Sequence, residues 1–184
     1  VLAANSVRDA HVVGAGLGGM VALRYAREYT RAGTVAVFGT AASGDRIEAE
    51  ALGELFPASD DDRALRASLS GAFSRRFRTE ASETVEQICE WRREEDAGSD
   101  GREAQIGALE AFDAGPLYEL ALPTLVFSGL DDPVVDPDAG RELADGLPRG
   151  SFESVEGRHL HYVEHARAVT DRLDGFFRDA TADR

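Results

Sequence analysis

A glycine-rich segment near the start of the chain constrains the fold more than any other feature of the sequence. Residues 12–20 read Val-Val-Gly-Ala-Gly-Leu-Gly-Gly-Met, with apolar residues on both sides of the glycines. The pattern of His11–Gly14 is typical of a buried strand, and the spacing of the apolar residues predicts a helix over Leu17–Tyr29. Because glycine adopts backbone angles that other residues avoid, the segment predicts a strand, a tight turn and a helix in succession.

Two unrelated functional motifs fit this turn. Gly14, Gly16 and Gly19 form G-x-G-x-x-G, the fingerprint of a dinucleotide site and hence of an oxidoreductase. The same turn also matches a nucleophile elbow, G-x-S-x-G, with Gly16 at the serine position. A dinucleotide site requires an acidic residue about 20 positions beyond its glycines. This chain has Phe38 and Gly39 there, which favours the elbow interpretation.

Strands and helices alternate along most of the remaining chain. Between residues 45 and 115, single apolar positions among Arg, Glu and Asp predict several amphipathic helices, with a break at Glu94–Gly101. This alternation implies an α/β fold with a parallel sheet. The other predicted strands are Thr34–Phe38, Pro123–Gly129 and Ser151–Val155, and the other predicted helices are Asp138–Leu147 and Tyr162–Phe177.

Candidate catalytic residues follow the last two predicted strands. Asp132 lies just beyond the third strand and His159 just beyond the fourth. Parallel sheets carry their chemistry in the loops at the carboxyl ends of the strands. Asp131 is the alternative acid, and an Asp before Pro133 also fits an ordinary turn. Gly16, Asp132 and His159 occur along the chain in the order nucleophile, acid, histidine, which is the order of the α/β-hydrolase triad.

The chain resembles the α/β-hydrolase superfamily on these motifs. Val12–Tyr29 resembles the nucleophile elbow and helix of the branch that contains lactonases, esterases and cofactor-free haloperoxidases. Pro123–Val135 resembles the strand and loop that carry the acid, and His159–Glu164 resembles the histidine loop that leads into the last helix. The resemblance implies a parallel hydrolase-type sheet with an inserted helical cap.

The same resemblance implies a division of the chain. Residues 1–44 and 116–184 form the core, with four strands, and residues 45–115 form a cap over the site. Members of the superfamily carry further strands before the elbow, so we expect an N-terminally truncated sheet. Either a longer protein supplies these strands, or the strand at Val12 is a hydrophobic edge that pairs with another copy in a homo-oligomer.

The resemblance also implies the role of each candidate residue. His159 is the general base, Asp132 orients it, and the Leu17 amide forms half of an oxyanion hole. Gly16 vacates the nucleophile position, so activity on an ester or lactone is expected to be impaired or lost. Two alternatives stay open: His159 could activate water or abstract a proton directly, or the cap pocket could bind a small molecule without catalysis.

Neither a cofactor nor a metal is expected at this site. His161 and His165 follow His159 closely, but no cluster of Cys or carboxylate ligands accompanies them. We expect both at the surface, where the last helix starts. Phe73, Phe77 and Trp91 are expected to pack inside the cap, and Cys89 to be a small buried residue on an amphipathic helix.

The composition limits which binding partners and which cellular compartment are expected for the chain. A net charge of −14, from 34 acidic and 20 basic residues, argues against nucleic acid or an anionic membrane surface as a partner. A single cysteine and the lack of a long apolar run predict a cytoplasmic protein without an internal disulfide. All basic residues are arginine, which indicates a salt-rich cytosol or a GC-rich genome. A stability titration against salt tests the halophilic hypothesis.

Overall fold

A parallel sheet forms the core of the chain. The computed structural model describes residues 1–57 and 61–182. Within these residues, four strands lie in the order β1–β2–β3–β4, and every neighbouring pair is parallel. The predicted α/β class with a four-stranded parallel sheet is therefore confirmed. The strands are β1 Ala10–Ala15, β2 Ala32–Phe38, β3 Thr124–Gly129 and β4 Gly150–Val155.

Helices connect the strands and cover the sheet. In the described residues, the helices of the core are α1 Leu17–Glu28, α7 Pro137–Gly146, α8 His161–Glu164 and α9 Ala166–Ala182. The helices between β2 and β3 are α2 Ala49–Leu55, α3 Asp62–Ala72, α4 Arg75–Glu80, α5 Ser82–Glu95 and α6 Ser99–Glu110. Residues 58–60 of the predicted cap and 183–184 of the predicted core lie outside the described residues. Across the described chain, no helix combines the length and apolar character needed to cross a membrane.

Strand β2 is buried on both faces. Val35 and Val37 pack into a cluster with residues of α1 and α7, and the alternate residues Ala36 and Phe38 pack towards α9. Successive side chains of a strand point to opposite faces, so a strand covered by helices on both sides is apolar throughout. This arrangement explains the apolar run of residues 35–38 from which the strand is predicted.

Strand β1 is half exposed, which corrects the expectation of a buried strand over His11–Gly14. It lies at the edge of the sheet, and its side chains alternate between partly buried and exposed. Val13 is 49% exposed because its outward face has no neighbour among the described residues. The ring of His11 instead stacks on Phe177 of α9 at a centroid distance of 4.3 Å.

The helices between β2 and β3 form a layer whose apolar cluster continues into the core at Met20, Val134, Val135 and Ala139. The predicted break between helices is confirmed, since α5 ends at Glu95 and α6 begins at Ser99. The segments that enter and leave this layer pair with each other. Ser43 and Asp113 form an antiparallel bridge, and the Ala114 amide donates to the Ala42 carbonyl at 2.8 Å.

Aromatic packing in this layer follows the prediction in part. Phe73 is buried and its ring lies 4.8 Å from that of Phe77, as expected. Cys89 is also buried, as expected. Trp91 is 54% exposed, so its predicted packing inside the cap is wrong. Helix α5 buries Val85 and Cys89 on one face, and position 91 lies about 200° around the helix from Cys89.

The closing helix, predicted as continuous over Tyr162–Phe177, is interrupted at His165. The short helix α8 turns its first residue inwards, and His161 is completely buried, which corrects the expectation of a surface residue. Its Nδ1–H donates to the Arg158 carbonyl at 3.1 Å, and its ring contacts those of Phe38 and Tyr162. Burial lowers the pKa of the His161 imidazole.

Candidate functional site

Four loops meet at the carboxyl ends of the strands and form the candidate site. Gly16 follows β1, Gly39 follows β2, Asp132 follows β3 and His159 follows β4. Because parallel strands all point in the same direction, their carboxyl ends place these residues at one edge of the sheet. The structure thus brings together the three residues that the sequence singled out, and adds Gly39.

The turn between β1 and α1 is strained and tightly packed. Gly16 has φ 50° and ψ −121°, a conformation that side chains rarely adopt. A Cβ at Gly14 would lie 2.1 Å from the Gly18 carbonyl oxygen, and one at Gly19 would lie 2.0 Å from Thr40 Oγ1. Glycine is therefore required at both positions by close approach. Gly18 differs, since a Cβ there would meet nothing within 4 Å.

Position 16 faces the candidate histidine. A Cβ built on Gly16 would lie 3.7 Å from His159 Nε2, and no other heavy atom of the described residues beyond its chain neighbours would lie within 4 Å. A side chain one atom longer could bring a hydroxyl within hydrogen-bond distance of that nitrogen. The geometry of the turn therefore matches a strained nucleophile elbow in which the nucleophilic side chain is absent.

Asp132 and His159 form a buried hydrogen-bonded pair. His159 Nδ1 lies 3.0 Å from both carboxylate oxygens of Asp132. The backbone amides of Val134 and Val135 donate to Asp132 Oδ1 at 2.9 and 3.1 Å, which fixes the carboxylate. Because an ionised carboxylate only accepts hydrogen bonds, this contact selects the tautomer with a proton on Nδ1, which leaves the Nε2 lone pair directed towards Gly16. Between the two acids considered, the structure favours Asp132 over Asp131.

Gly39 lies against this pair, a position that sequence reasoning treated only as a missing acid. It has φ 51°, and a Cβ there would lie 3.0 Å from His159 Cε1 and 3.2 Å from Asp132 Oδ2. The only signal in the sequence is a glycine directly after a buried strand. Its close approach to residues more than 90 positions away could not be predicted from local pattern.

Leu17 is the first residue of α1, so its amide has no carbonyl partner within the helix. Amides at this end of a helix can stabilise negative charge. This placement is compatible with the predicted oxyanion contact of Leu17. The roles of Gly16, Leu17, Asp132 and His159 in a reaction remain predictions.

Hydrogen bonds hold the histidine loop against the layer of helices above it. The Leu160 amide donates to the Ala72 carbonyl at 2.9 Å, at the end of α3. The Ser74 amide donates to Glu164 Oε2 at 3.0 Å, and the Ser74 hydroxyl contacts the other oxygen of the same carboxylate. Any displacement of these helices would therefore be transmitted to the loop that carries His159.

A cavity of about 360 Å³ lies between the elbow and the helices α2, α3, α5 and α6. Its size falls in the range of small-molecule sites. Gly16, Leu17 and His159 lie at its base. The apolar wall includes Leu52, Leu55, Leu69, Ile106, Val134 and Val135.

Neither a metal nor a reactive thiol stands out in the described part of the chain. There, no group of three or more His, Cys, Asp or Glu side chains could hold a metal ion. Burial raises the pKa of the Cys89 thiol, which keeps it protonated.

Comparison with known proteins relates the fold of the chain to α/β hydrolases. No protein-family model matches the chain. A segment of 84 residues is 33% identical to a Mycobacterium tuberculosis protein named as a non-heme bromoperoxidase, BpoC, and covers 45% of this chain and 32% of BpoC. The enol-lactonase from Burkholderia xenovorans matches with a TM-score of 0.81 and 22% identity, over 96% of this chain and 68% of that one. The α/β hydrolase MGS-M2, from a deep-sea metagenome library, matches with a TM-score of 0.78 and 20% identity, over 96% and 67%.

The chain therefore has the α/β-hydrolase fold. The structural matches establish the fold, and the segment shared with BpoC adds a sequence relationship. The elbow, the acid loop and the histidine loop predict a resemblance to the α/β-hydrolase superfamily. This prediction is confirmed for the fold and for the segment shared with BpoC. Both structural relatives are longer than this chain, which covers about two thirds of each.

Proposed function

We propose that this chain is a relative of carboxylic ester and lactone hydrolases in which the absence of a nucleophile at Gly16 impairs or abolishes covalent hydrolysis. The observation that carries the proposal is the direction of position 16, where a Cβ would lie 3.7 Å from His159 Nε2. The His159–Asp132 pair supplies a base and its orienting acid, and Gly16 offers nothing for that base to activate.

The expected chemical consequence is large. In a triad, the hydroxyl attacks the ester carbonyl while the histidine takes its proton, and an acyl-enzyme forms. Removal of a triad serine can cost about six decades in turnover. The Leu17 amide could still stabilise an oxyanion, and His159 could still activate a water molecule. Hydrolysis at the level of an intact triad is not expected from these residues.

Support for the substrate class comes from the cavity and from one relative. An apolar cavity of about 360 Å³ suits the acyl part of an ester or lactone. The enol-lactonase with the same fold is named for hydrolysis of a lactone.

Hydrolysis of p-nitrophenyl butyrate by matched variants tests the proposal. We expect the unaltered protein to remain near the uncatalysed rate, and Gly16→Ser to raise the rate about 100-fold or more. Gly18→Ser is the control, because it adds the same hydroxyl where a Cβ would meet no described residue outside its own helix within 4 Å, and it should not raise the rate. Adding His159→Ala to Gly16→Ser should remove the gain. Fast hydrolysis by the unaltered protein that His159→Ala abolishes would overturn the proposal and favour direct activation of water.

A second candidate function is the binding of a small molecule without catalysis. The cavity favours it, because its apolar wall does not depend on a nucleophile. This candidate predicts that the unaltered protein binds a medium-chain alcohol or acid and does not turn over the corresponding esters. Calorimetric titration with 1-octanol measures the binding directly.

A further inference from the structure

The cavity above Gly16 adjoins a second cavity of about 240 Å³, which lies where α5 ends and α6 begins. The two share a polar boundary. Away from this boundary, the first cavity is lined almost entirely by apolar side chains. The residues that line both are Phe56, Arg92, Asp96, Arg102 and Gln105.

Two of the arginines around these cavities are already neutralised. Arg92 Nε lies 2.8 Å from Asp96 Oδ2, and its other nitrogens donate to Ser68 Oγ and the Leu55 carbonyl. Arg93 lines the second cavity and pairs with Asp62 at 2.6 Å. The charge of Asp96 is therefore balanced by Arg92, and neither pair leaves a free charge at the boundary.

Arg102 differs from both. Within the described residues, its guanidinium makes one long hydrogen bond, 3.4 Å from Nη1 to the Phe56 carbonyl, and pairs with no carboxylate. The residue is partly buried and lines both cavities. Among the described residues of a chain with a net charge of −14, Arg102 thus places a positive charge without a carboxylate partner at the polar end of an otherwise apolar cavity.

We propose that Arg102 binds the carboxylate of an amphiphilic ligand whose apolar body occupies the cavity above Gly16. A guanidinium presents two parallel N–H groups that match a carboxylate, and a charge-assisted pair of this kind is strong where water is partly excluded. A phosphate monoester carries close to two negative charges, whereas Arg102 supplies a single positive charge, so a singly charged head group fits better.

This inference rests on the proposed function and narrows its substrate class. The ligands it selects are medium-chain carboxylic acids, and esters or lactones that carry a free carboxylate at the end remote from the reacting carbonyl. Arg102 would hold that carboxylate at one end of the cavity, and the ester would lie near Gly16 and His159 at the other. Neutral esters of the same length would bind more weakly.

Calorimetric titration of the intact chain with octanoate, 1-octanol and octyl phosphate tests the proposal. The unaltered protein should bind octanoate most tightly of the three. Arg102→Gln should weaken octanoate binding about tenfold and change octanol binding less than about twofold. Arg167→Gln, an exposed arginine on α9, is the matched control and should change neither. Thermal unfolding of each variant verifies that it is folded.

The possible failures are distinguishable. If octanol and octanoate bind equally and Arg102→Gln changes neither, the inference about Arg102 is overturned while the cavity remains a ligand site. If octyl phosphate binds most tightly, the preference for a carboxylate is wrong. If none of the three binds, this inference is overturned; the proposed loss of covalent hydrolysis is then judged by the ester assay alone.

Discussion

Gly39 shows how one backbone position can control the candidate site. It lies directly after β2 with a positive φ, and a Cβ at this position would contact the imidazole of His159 and the carboxylate of Asp132. Hydrogen bonds restrain the buried pair, because two backbone amides hold the carboxylate and the histidine loop is bonded to α3. A side chain at position 39 would therefore disturb the pair itself.

We predict that Gly39→Ala lowers the free energy of unfolding by about 1–3 kcal/mol, from the strained φ and the 3.0 Å approach to His159. Gly18→Ala is the control, because its Cβ would lie in open space on a helix and should cost nothing or stabilise slightly. Urea denaturation of both variants measures the difference. Equal stability of the two variants would contradict the geometry described for Gly39.

At the same scale, the sequence predicts part of the site well. Asp132 and His159 could be found because each follows a recognisable apolar strand and keeps the order of a triad. Gly39 and Arg102 could not, since the roles proposed for them depend on contacts with residues distant in the sequence. The sequence pattern around a residue predicts the helix, strand or loop in which it lies. It does not predict which distant residues it contacts in the folded chain.

At the scale of elements, the end of the chain departs most from expectation. The apolar spacing predicts one helix, whereas the structure has α8 and α9 with a break at His165. The break lets α8 turn His161 under the histidine loop, beside Phe38 and Tyr162. A buried imidazole costs free energy when protonated, so this element should be sensitive to acid.

We predict that His161 makes the fold less stable as the pH falls below about 6.5. Burial lowers the pKa of His161 in the folded state, so the unfolded chain takes up the proton first and unfolding becomes easier. This loss of stability is absent at pH values well above about 6.5, and it reaches its full size at the pH where the imidazole is protonated in the folded state as well. His161→Asn keeps a donor for the Arg158 carbonyl and removes the titration, so its stability should fall less between pH 7.5 and 5. Parallel urea-midpoint profiles for the two proteins would contradict this.

Most other elements could be predicted because their patterns reflect burial directly. The strand Ala32–Phe38 is buried throughout and apolar over residues 35–38 because both of its faces are covered, and the boundary between α5 and α6 follows from polar residues and glycine. The exposure of Trp91 and of β1 was not predictable in this way. An apolar residue does not show whether a neighbouring element reaches it.

At the scale of the whole molecule, the exposed edge of β1 is the surface that bears on association with other chains. Val13 is 49% exposed on this strand, and Val21 on the adjoining α1 is 60% exposed. Edge strands of this kind present unpaired backbone groups and apolar side chains to other chains. We propose that this chain associates with a second copy through β1.

The prediction is that the 184-residue chain elutes above its monomer mass of 19.8 kDa in size-exclusion chromatography with light scattering. Val13→Lys should shift it towards the monomer, since a lysine on an edge strand opposes pairing. Leu130→Lys replaces another exposed apolar residue, 52% exposed in the loop after β3, and should leave the mass unchanged. A monodisperse monomer for the unaltered chain would rule out the proposed association.

The central claim is that position 16 is a nucleophile position without a nucleophile, and covalent labelling tests it most directly. A fluorophosphonate reacts with a serine only when a neighbouring base activates the hydroxyl. Intact-mass measurement should show one adduct on Gly16→Ser, mapped to position 16, and none on the unaltered protein or on Gly18→Ser. The adduct should disappear when His159→Ala is added. A folded Gly16→Ser variant that is not labelled, or a Gly18→Ser variant that is labelled equally, would contradict the account.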